Sequence, residues 1–527
     1  MRVKNSIKNI YISIFTQLII TLLGFISRRV FISSLGSEYL GVNGLLTNVL
    51  SMLSLVEGGI GTSIVYNLYK PLAENDRPKI IALVQLYKRI YTVLAIFIFL
   101  LGMALYPFLG IFVKEEEKVN YLFLVYLIFV IKNVISYLNA HKWSLINADQ
   151  KGYVLSRYNL LFNIITTVSR IIILKFTRNY ILYLVIELLI IIIQNIWNGR
   201  IVNIRYPYIK EKKKYYVGNE VKEYLKKNVK AIFLHNIGGY CVFGTDNLLI
   251  SALVNLKAVG LYSNYTMIIN QLSSLITPIL NGIGASVGNL IATEDEDKAF
   301  QIFNVTYLIN FWIYSFSVIF LYNLLEPFID FWLGKGLLLG RVTFIVILLN
   351  FYLTGLRKSI SIFKEKAGIF TPDKYAPIAE AAINLITSII LAKRLGLIGI
   401  FLGTTISSVS IPIWLQAKIV YNEIFNKSVL VYFKKYLIYL IMTLSAGVIT
   451  TIVCNKVVMN NEFFTLILKG IICVIIPNTL YFIVVFKTNE FKYIKSIIID
   501  MIKNKFNNRS SKGELNEAEI KKNSNLG

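Results

Sequence analysis

Long apolar runs recur along almost the whole chain, separated by short charged or turn-rich breaks. A helix needs roughly 20 apolar residues to cross the hydrocarbon core of a bilayer. The runs are continuous and rich in Ile, Leu and Phe, without the alternation of a porin strand. Cutting the chain at its breaks predicts about fourteen transmembrane helices. They fall on 10–33, 40–69, 88–113, 119–141, 154–176, 179–204, 229–254, 258–292, 299–325, 341–363, 375–395, 397–421, 434–456 and 463–486. The fold class expected is an all-α integral membrane protein. The first run is too long for the apolar core of a signal peptide and has no small-residue cleavage site, so it is expected to stay as a helix.

Composition sharpens this picture. The chain is 56% hydrophobic and only 16% charged, too few charges for a soluble protein of this length. The net charge of +26 would suggest nucleic acid in a soluble chain. In a membrane protein it is the mark of cytoplasmic loops, where Lys and Arg concentrate. Most of the 55 Lys and Arg residues fall on one side when the N-terminus is placed inside, with "YKPLAENDRPK", "RYPYIKEKKKYYVGNEVKEYLKKNVK" and "RKSISIFKEKAG" as cytoplasmic connections. Both termini are then cytoplasmic, in a multi-pass protein of the cell membrane, and nucleic acid is not an expected partner. The acidic "TEDEDKAF" (293–300) also lies inside; the rule weighs Lys and Arg and largely ignores acids. Cys241, Cys454 and Cys473 lack metal spacing or a disulfide framework, and His141 and His235 form no catalytic or metal set.

An internal repeat organises the spans. Gly41 of the second run matches Gly260 of the eighth, and "GGIGTS" (58–63) matches "NGIGAS" (281–286) about one helical turn out of step. The offset spans six helices, an even number, so both copies enter the membrane from the same side and the repeat is parallel. This predicts an N-terminal six-helix lobe over 1–210, a basic cytoplasmic linker over 211–228 and a C-terminal six-helix lobe over 229–425. Two further helices occupy 430–490, and a polar cytoplasmic tail 491–527. A path between rocking lobes would provide alternating access.

Ionisable residues inside spans are costly and are candidate functional groups by default. Here they are Arg28, Arg29, Glu57, Lys132, Arg170, Glu187, Asp246, Arg357, Lys358 and Glu380. Arg28 and Arg29 point about 100° apart, so only one is expected to face a cavity; snorkelling to headgroups is the alternative role for both and for Arg170. Glu57 lies roughly 25 Å and Lys132 roughly 20 Å from the outer ends of their helices, which makes Lys132 the expected partner of Glu57. A structural ion pair is the alternative to a coupling role there. Asp246 fits a cavity or a packing hydrogen bond. Gly58, Gly59 and Gly61 around Glu57 fit either close helix packing or a flexible gate.

The stretches "YLGVNGLLTNVLSMLSLVEGGIGTSIVYNLYKPLAEND", "GTDNLLISALVNLKAVGLYSNY" (244–265) and "YAPIAEAAINLITSIILAKRLGLIGIFLGTTIS" (375–407) resemble Wzx-type polysaccharide flippases. These belong to the superfamily that also holds multidrug (MATE) exporters and lipid II flippases. The resemblance covers the chain to about residue 490 and implies a MATE-like fold. It implies transport of undecaprenyl-diphosphate-linked oligosaccharide units from the inner to the outer leaflet, for surface polysaccharide. Arg28 or Arg29, with Lys132, Arg170 and Asp246, would then meet diphosphate and glycan, and Glu57 would balance charge or couple to H+ or Na+. No other cofactor is expected. Membrane lipid is a partner, and a polysaccharide polymerase complex is a candidate one. Asn264, Tyr265 and Asn270 could meet sugar hydroxyls or pack between helices. The competing readings are a cation-coupled multidrug exporter, a lipid II-type flippase, a membrane enzyme and a purely structural protein. The short outer connections leave no room for an enzyme's catalytic domain.

Overall fold

Helix-end signals written in the sequence set many of the observed boundaries. The computed structural model describes residues 2–54, 57, 60–111, 121–149, 151–211, 213–218, 244–369, 372–496 and 499. Gly58, Gly59, His235, Cys241, most of the expected span 229–254, much of the basic linker and the tail from 500 lie outside them.

Seventeen α-helices follow, among the described residues: α1 Arg2–Leu35, α2 Ser37–Ser54, α3 Ile60–Glu74, α4 Arg77–Leu105, α5 Leu122–Leu138, α6 Ala140–Ala148, α7 Tyr153–Thr177, α8 Tyr180–Arg205, α9 Asp246–Leu253, α10 Leu256–Thr293, α11 Glu296–Leu333, α12 Arg341–Lys366, α13 Ala376–Leu395, α14 Leu397–Ser410, α15 Pro412–Glu423, α16 Leu430–Asn455 and α17 Glu462–Val485. Asp76 caps α4 by accepting from the Lys79 N–H at 3.1 Å, with Pro78 in the first turn, where its missing donor costs nothing. Asn179 caps α8 from the Leu182 N–H at 3.0 Å. The acidic 293–300 connection has the same explanation. Asp295 accepts from the Lys298 N–H at 2.7 Å, and Glu296 and Asp297 sit in the first turn of α11, where the helix dipole favours negative charge.

Among the described residues, ten stretches are long and apolar enough to cross a bilayer, and α5 with α6, bent by 45°, makes an eleventh. The other expected spans fall on α2–α3, α9 and α10. The second expected span is described as α2 to Ser54 and α3 from Ile60, with most of the stretch between them outside the described residues. Two spans read as single helices are broken. The fourth starts at Leu122, after Tyr121 in a left-handed conformation (φ 59°), and bends at Asn139. The twelfth breaks at Ile411, ahead of Pro412, which cannot continue a helix hydrogen-bond ladder. Outward faces suit lipid: Leu437, Ile441, Leu444, Val448 and Ile452 form an exposed i, i+3, i+4 stripe on α16.

The chain forms two units. The first comprises 1–271, 332–346 and 375–410, so it gathers α1–α9 with stretches that the sequence places in the C-terminal lobe. Its core is built on Val42, Leu45, Tyr87, Tyr126, Leu145 and Leu184. Within it, the "GLIGIFLGT" stretch packs α14 tightly on α13. A Cβ at Gly399 would stand 2.3 Å from the Leu391 carbonyl, and one at Gly403 2.1 Å from Ser388 Oγ. Small residues one turn apart let membrane helices close in this way. The second unit comprises 272–331, 347–374 and 411–527. Its core is aromatic, with Phe311 stacked on Tyr439 at 4.1 Å and Phe303 against Phe363 at 5.2 Å. A hydroxyl network of Ser315, Tyr352, Thr443 and Tyr481 runs through it. Cys454 and Cys473 are buried there with their sulfurs 3.7 Å apart.

Candidate functional site

Helices α1, α2 and α10 meet where the repeat places equivalent residues. A Cβ on Gly41 would lie 2.0 Å from the Leu256 carbonyl oxygen, and one on Gly260 2.1 Å from the Ser37 oxygen. The two repeat-matched glycines therefore face one another across a backbone contact that admits no side chain. Along α1, Thr21 donates to Gln271 at 2.8 Å, and Arg28 donates to Asn264 Oδ1 at 3.0 Å and to Ser263 Oγ at 2.5 Å. Thr21 and Arg28 are seven residues apart, two turns on one helix face. The Trp332 indole N–H closes the same region on the Phe25 carbonyl at 2.8 Å.

These contacts border a polar pocket of about 350 Å³, wholly within the first unit. Arg28, Asn43, Thr47 and Asn48 line it from α1 and α2; Asp246, Asn247, Tyr262, Thr266 and Asn270 line it from α9 and α10. Asp246 is buried. Its Oδ2 accepts from the Tyr262 hydroxyl at 3.4 Å, while Oδ1 has no partner among the described residues. Arg28 is held only by a neutral amide and a hydroxyl, and no acid pairs with it among the described residues. Arg29, one residue on, is exposed. So the fold selects Arg28 for the pocket, and Asn270 joins it. Tyr265 does not; it is fully buried and accepts the Leu339 N–H at 3.0 Å.

The other candidates assemble elsewhere in the unit, and one expectation is corrected. Lys132 pairs with Glu187 at 2.6 Å, and Arg170 bonds the same carboxylate oxygen. Lys132 therefore does not balance Glu57. With α5 starting at Leu122, Lys132 is about 15 Å into its helix, close to Glu187 and Arg170 at about 11 Å in theirs. Glu57 follows α2, three residues beyond its last residue, Ser54. It accepts instead from the Tyr91 hydroxyl at 3.1 Å. Two cations on one acid leave a surplus positive charge, supported by the Phe129 ring 4.6 Å from Lys132 Nζ and the Tyr183 ring 5.0 Å from Arg170 Cζ. Among the described residues no group of three or more His, Cys, Asp or Glu side chains could hold a metal.

Glu187 and Asn264, both among the sequence candidates, complete these sites together with Ser263, which the sequence did not single out. One sequence signal bears on the pocket. "RRVFISSL" (28–35) aligns with "DNLLISAL" (246–253), one residue out of step with the Gly41–Gly260 match. That alignment sets Arg28 opposite Asp246, two repeat-equivalent positions of opposite charge that line one pocket.

No family model and no curated protein matches the sequence. Solved structures do match by fold. A lipid II flippase MurJ in an inward closed conformation superposes with a TM-score of 0.62 at 16% identity, over 92% of this chain and 100% of that one. An inward-facing multidrug resistance MATE family transporter of the MOP superfamily gives 0.56 at 13% identity, over 77% of this chain and 95% of that one. A point mutant of the Vibrio cholerae MATE transporter VcmN gives 0.54 at 11% identity, over 81% of this chain and 99% of that one. The chain thus has the all-α membrane fold that these flippases and transporters share. At such identities the similarity speaks for fold alone.

Proposed function

We propose that this protein flips undecaprenyl-diphosphate-linked oligosaccharide units from the inner to the outer leaflet of the cytoplasmic membrane, for surface polysaccharide synthesis. The observation that carries the reading is the pocket around Arg28. A guanidinium inside a span is costly unless an anion neutralises it. Here its protein partners are neutral, and a diphosphate offers the charge-assisted, paired hydrogen bonds that arginine grips well. The surplus cation of the Lys132–Arg170–Glu187 cluster adds a second anion-attracting point in the same unit. A polar head cannot cross hydrocarbon unaided, and the polar pocket lining would replace its water.

In this reading the two lobes, 1–210 and 229–425, rock to give alternating access, both termini are cytoplasmic, and Glu57 is the candidate for coupling to H+ or Na+. A lipid II-type substrate offers the same diphosphate. A multidrug exporter is the second reading, favoured by one observation: Asp246 and Tyr262 in the pocket would suit an organic cation. The deciding experiment is a deletion strain whose lipid-linked oligosaccharides are extracted and assigned to a leaflet. Accumulation on the cytoplasmic leaflet with loss of surface polymer supports flipping, and the mass identifies the glycan. Unchanged lipid intermediates, with increased sensitivity to cationic drugs, would favour the exporter.

A further inference from the structure

A second cavity in the first unit, of about 570 Å³, lies between the α5–α6 bend, α7 and α8. Trp143 and Asn147 line it from α6, Asn159 from α7, and Gln194, Asn195 and Asn198 from α8. None of its lining residues is charged. Amides are expensive in apolar spans unless they are satisfied. Part of this set is satisfied and structural: Asn139, at the bend, donates to Asn195 Oδ1 at 2.5 Å, and Asn195 donates to the Ile135 carbonyl at 3.0 Å. That pair ties the bend to α8. The rest does not close on itself. Gln194 and Asn198 both donate to the single oxygen of Asn159, at 2.9 and 2.7 Å. Asn198 is only 5% exposed, yet its own side-chain oxygen has no partner among the described residues.

Neutral amide donors and acceptors around an indole are the chemistry that recognises a hydroxyl-rich ring. They offer little to a phosphate or a cation, and the volume is ample for a sugar. We infer that this cavity is a binding site for a neutral sugar ring. Glu187, Ile191, Gln194 and Asn198 share one face of α8, so the cavity begins about 6 Å along that helix from the Lys132–Arg170–Glu187 cluster. The ring could be a free sugar or part of a lipid-linked head. The site chemistry stands without the flippase reading.

The test uses the full-length protein in detergent micelles and saturation-transfer NMR. The probes are the methyl glycosides of glucose, galactose, mannose and N-acetylglucosamine, with methyl glucuronide as the charged control. At least one neutral glycoside should give saturable ring-proton signals and bind about tenfold better than the glucuronide. Trp143→Phe should weaken it about fivefold to tenfold with melting temperature unchanged, and Asn198→Ala should weaken it at least as much. Trp143→Phe keeps an aromatic ring in place, so it reports the site even if Asn198→Ala misfolds. Displacement by the same sugar on a polyprenyl diphosphate, at much lower concentration than the free glycoside, identifies the lipid-linked source; equal potency identifies a free sugar. Absence of saturable signals from all four neutral glycosides, or binding unaffected by Trp143→Phe, overturns the inference. Neither result depends on transport, so it is separable from the outcome of the leaflet experiment.

Discussion

Arg28 and Arg29 are chemically identical neighbours with opposite fates. Arg28 is held over the pocket by Asn264 and Ser263, and Arg29 is exposed. Arg28→Ala should therefore cut export of surface polysaccharide about tenfold or more at normal protein abundance, the loss of a charge-assisted contact of about 1.5–3 kcal/mol. Arg28→Lys should recover only part of it, because an ammonium lacks the planar fork. Arg29→Ala should leave export unchanged; quantifying surface polymer against immunoblotted protein checks all three. Glu187 makes a different prediction. Removing it strands two half-buried cations, and losing one partner of a buried pair costs up to about 3–5 kcal/mol. Glu187→Gln should thus lower abundance and melting temperature, and adding Lys132→Met should restore part of both. A loss of transport with full stability would instead make Glu187 a transport residue.

At the scale of elements, the decisive contact is backbone on backbone. Gly41 and Gly260 allow the N-terminal ends of α2 and α10 to touch, and a Cβ at Gly41 would sit 2.0 Å, and one at Gly260 2.1 Å, from a carbonyl oxygen. Gly260→Ala should destabilise the protein by about 1–3 kcal/mol, as overpacking does, read as a lower melting temperature in detergent. Gly36→Ala is a poor control, because its φ of +90° brings strain of its own. Gly110→Ala, with open space around it, is the suitable one. The repeat was readable from these two glycines, because the same close approach imposes the same residue on both copies.

For the whole molecule, the Lys/Arg bias predicts orientation, and exposure offers a way to check it. Tyr216, 87% exposed, lies in the basic connection expected inside, and Val458, 84% exposed, lies in a connection expected outside. In a variant lacking the native cysteines, Tyr216→Cys should resist a membrane-impermeant maleimide in intact cells, and Val458→Cys should react. The reverse pattern would invert the topology.

The sequence by itself determined the membrane class, the approximate course of most apolar spans and a short list of in-span charges. Each follows from local rules: the length of hydrocarbon to be crossed, the cost of unpaired backbone in lipid, and the cost of charge there. The tertiary structure alone decided which charges share a site. Depth along a helix narrows the candidates, but partnership depends on how neighbouring helices are rotated and where they begin. A start three residues later than expected moved Lys132 from the level assigned to it toward Glu187, and one residue of helix rotation put Arg28 rather than Arg29 over the pocket. Both are properties of packing between segments far apart in the chain, which no local pattern encodes.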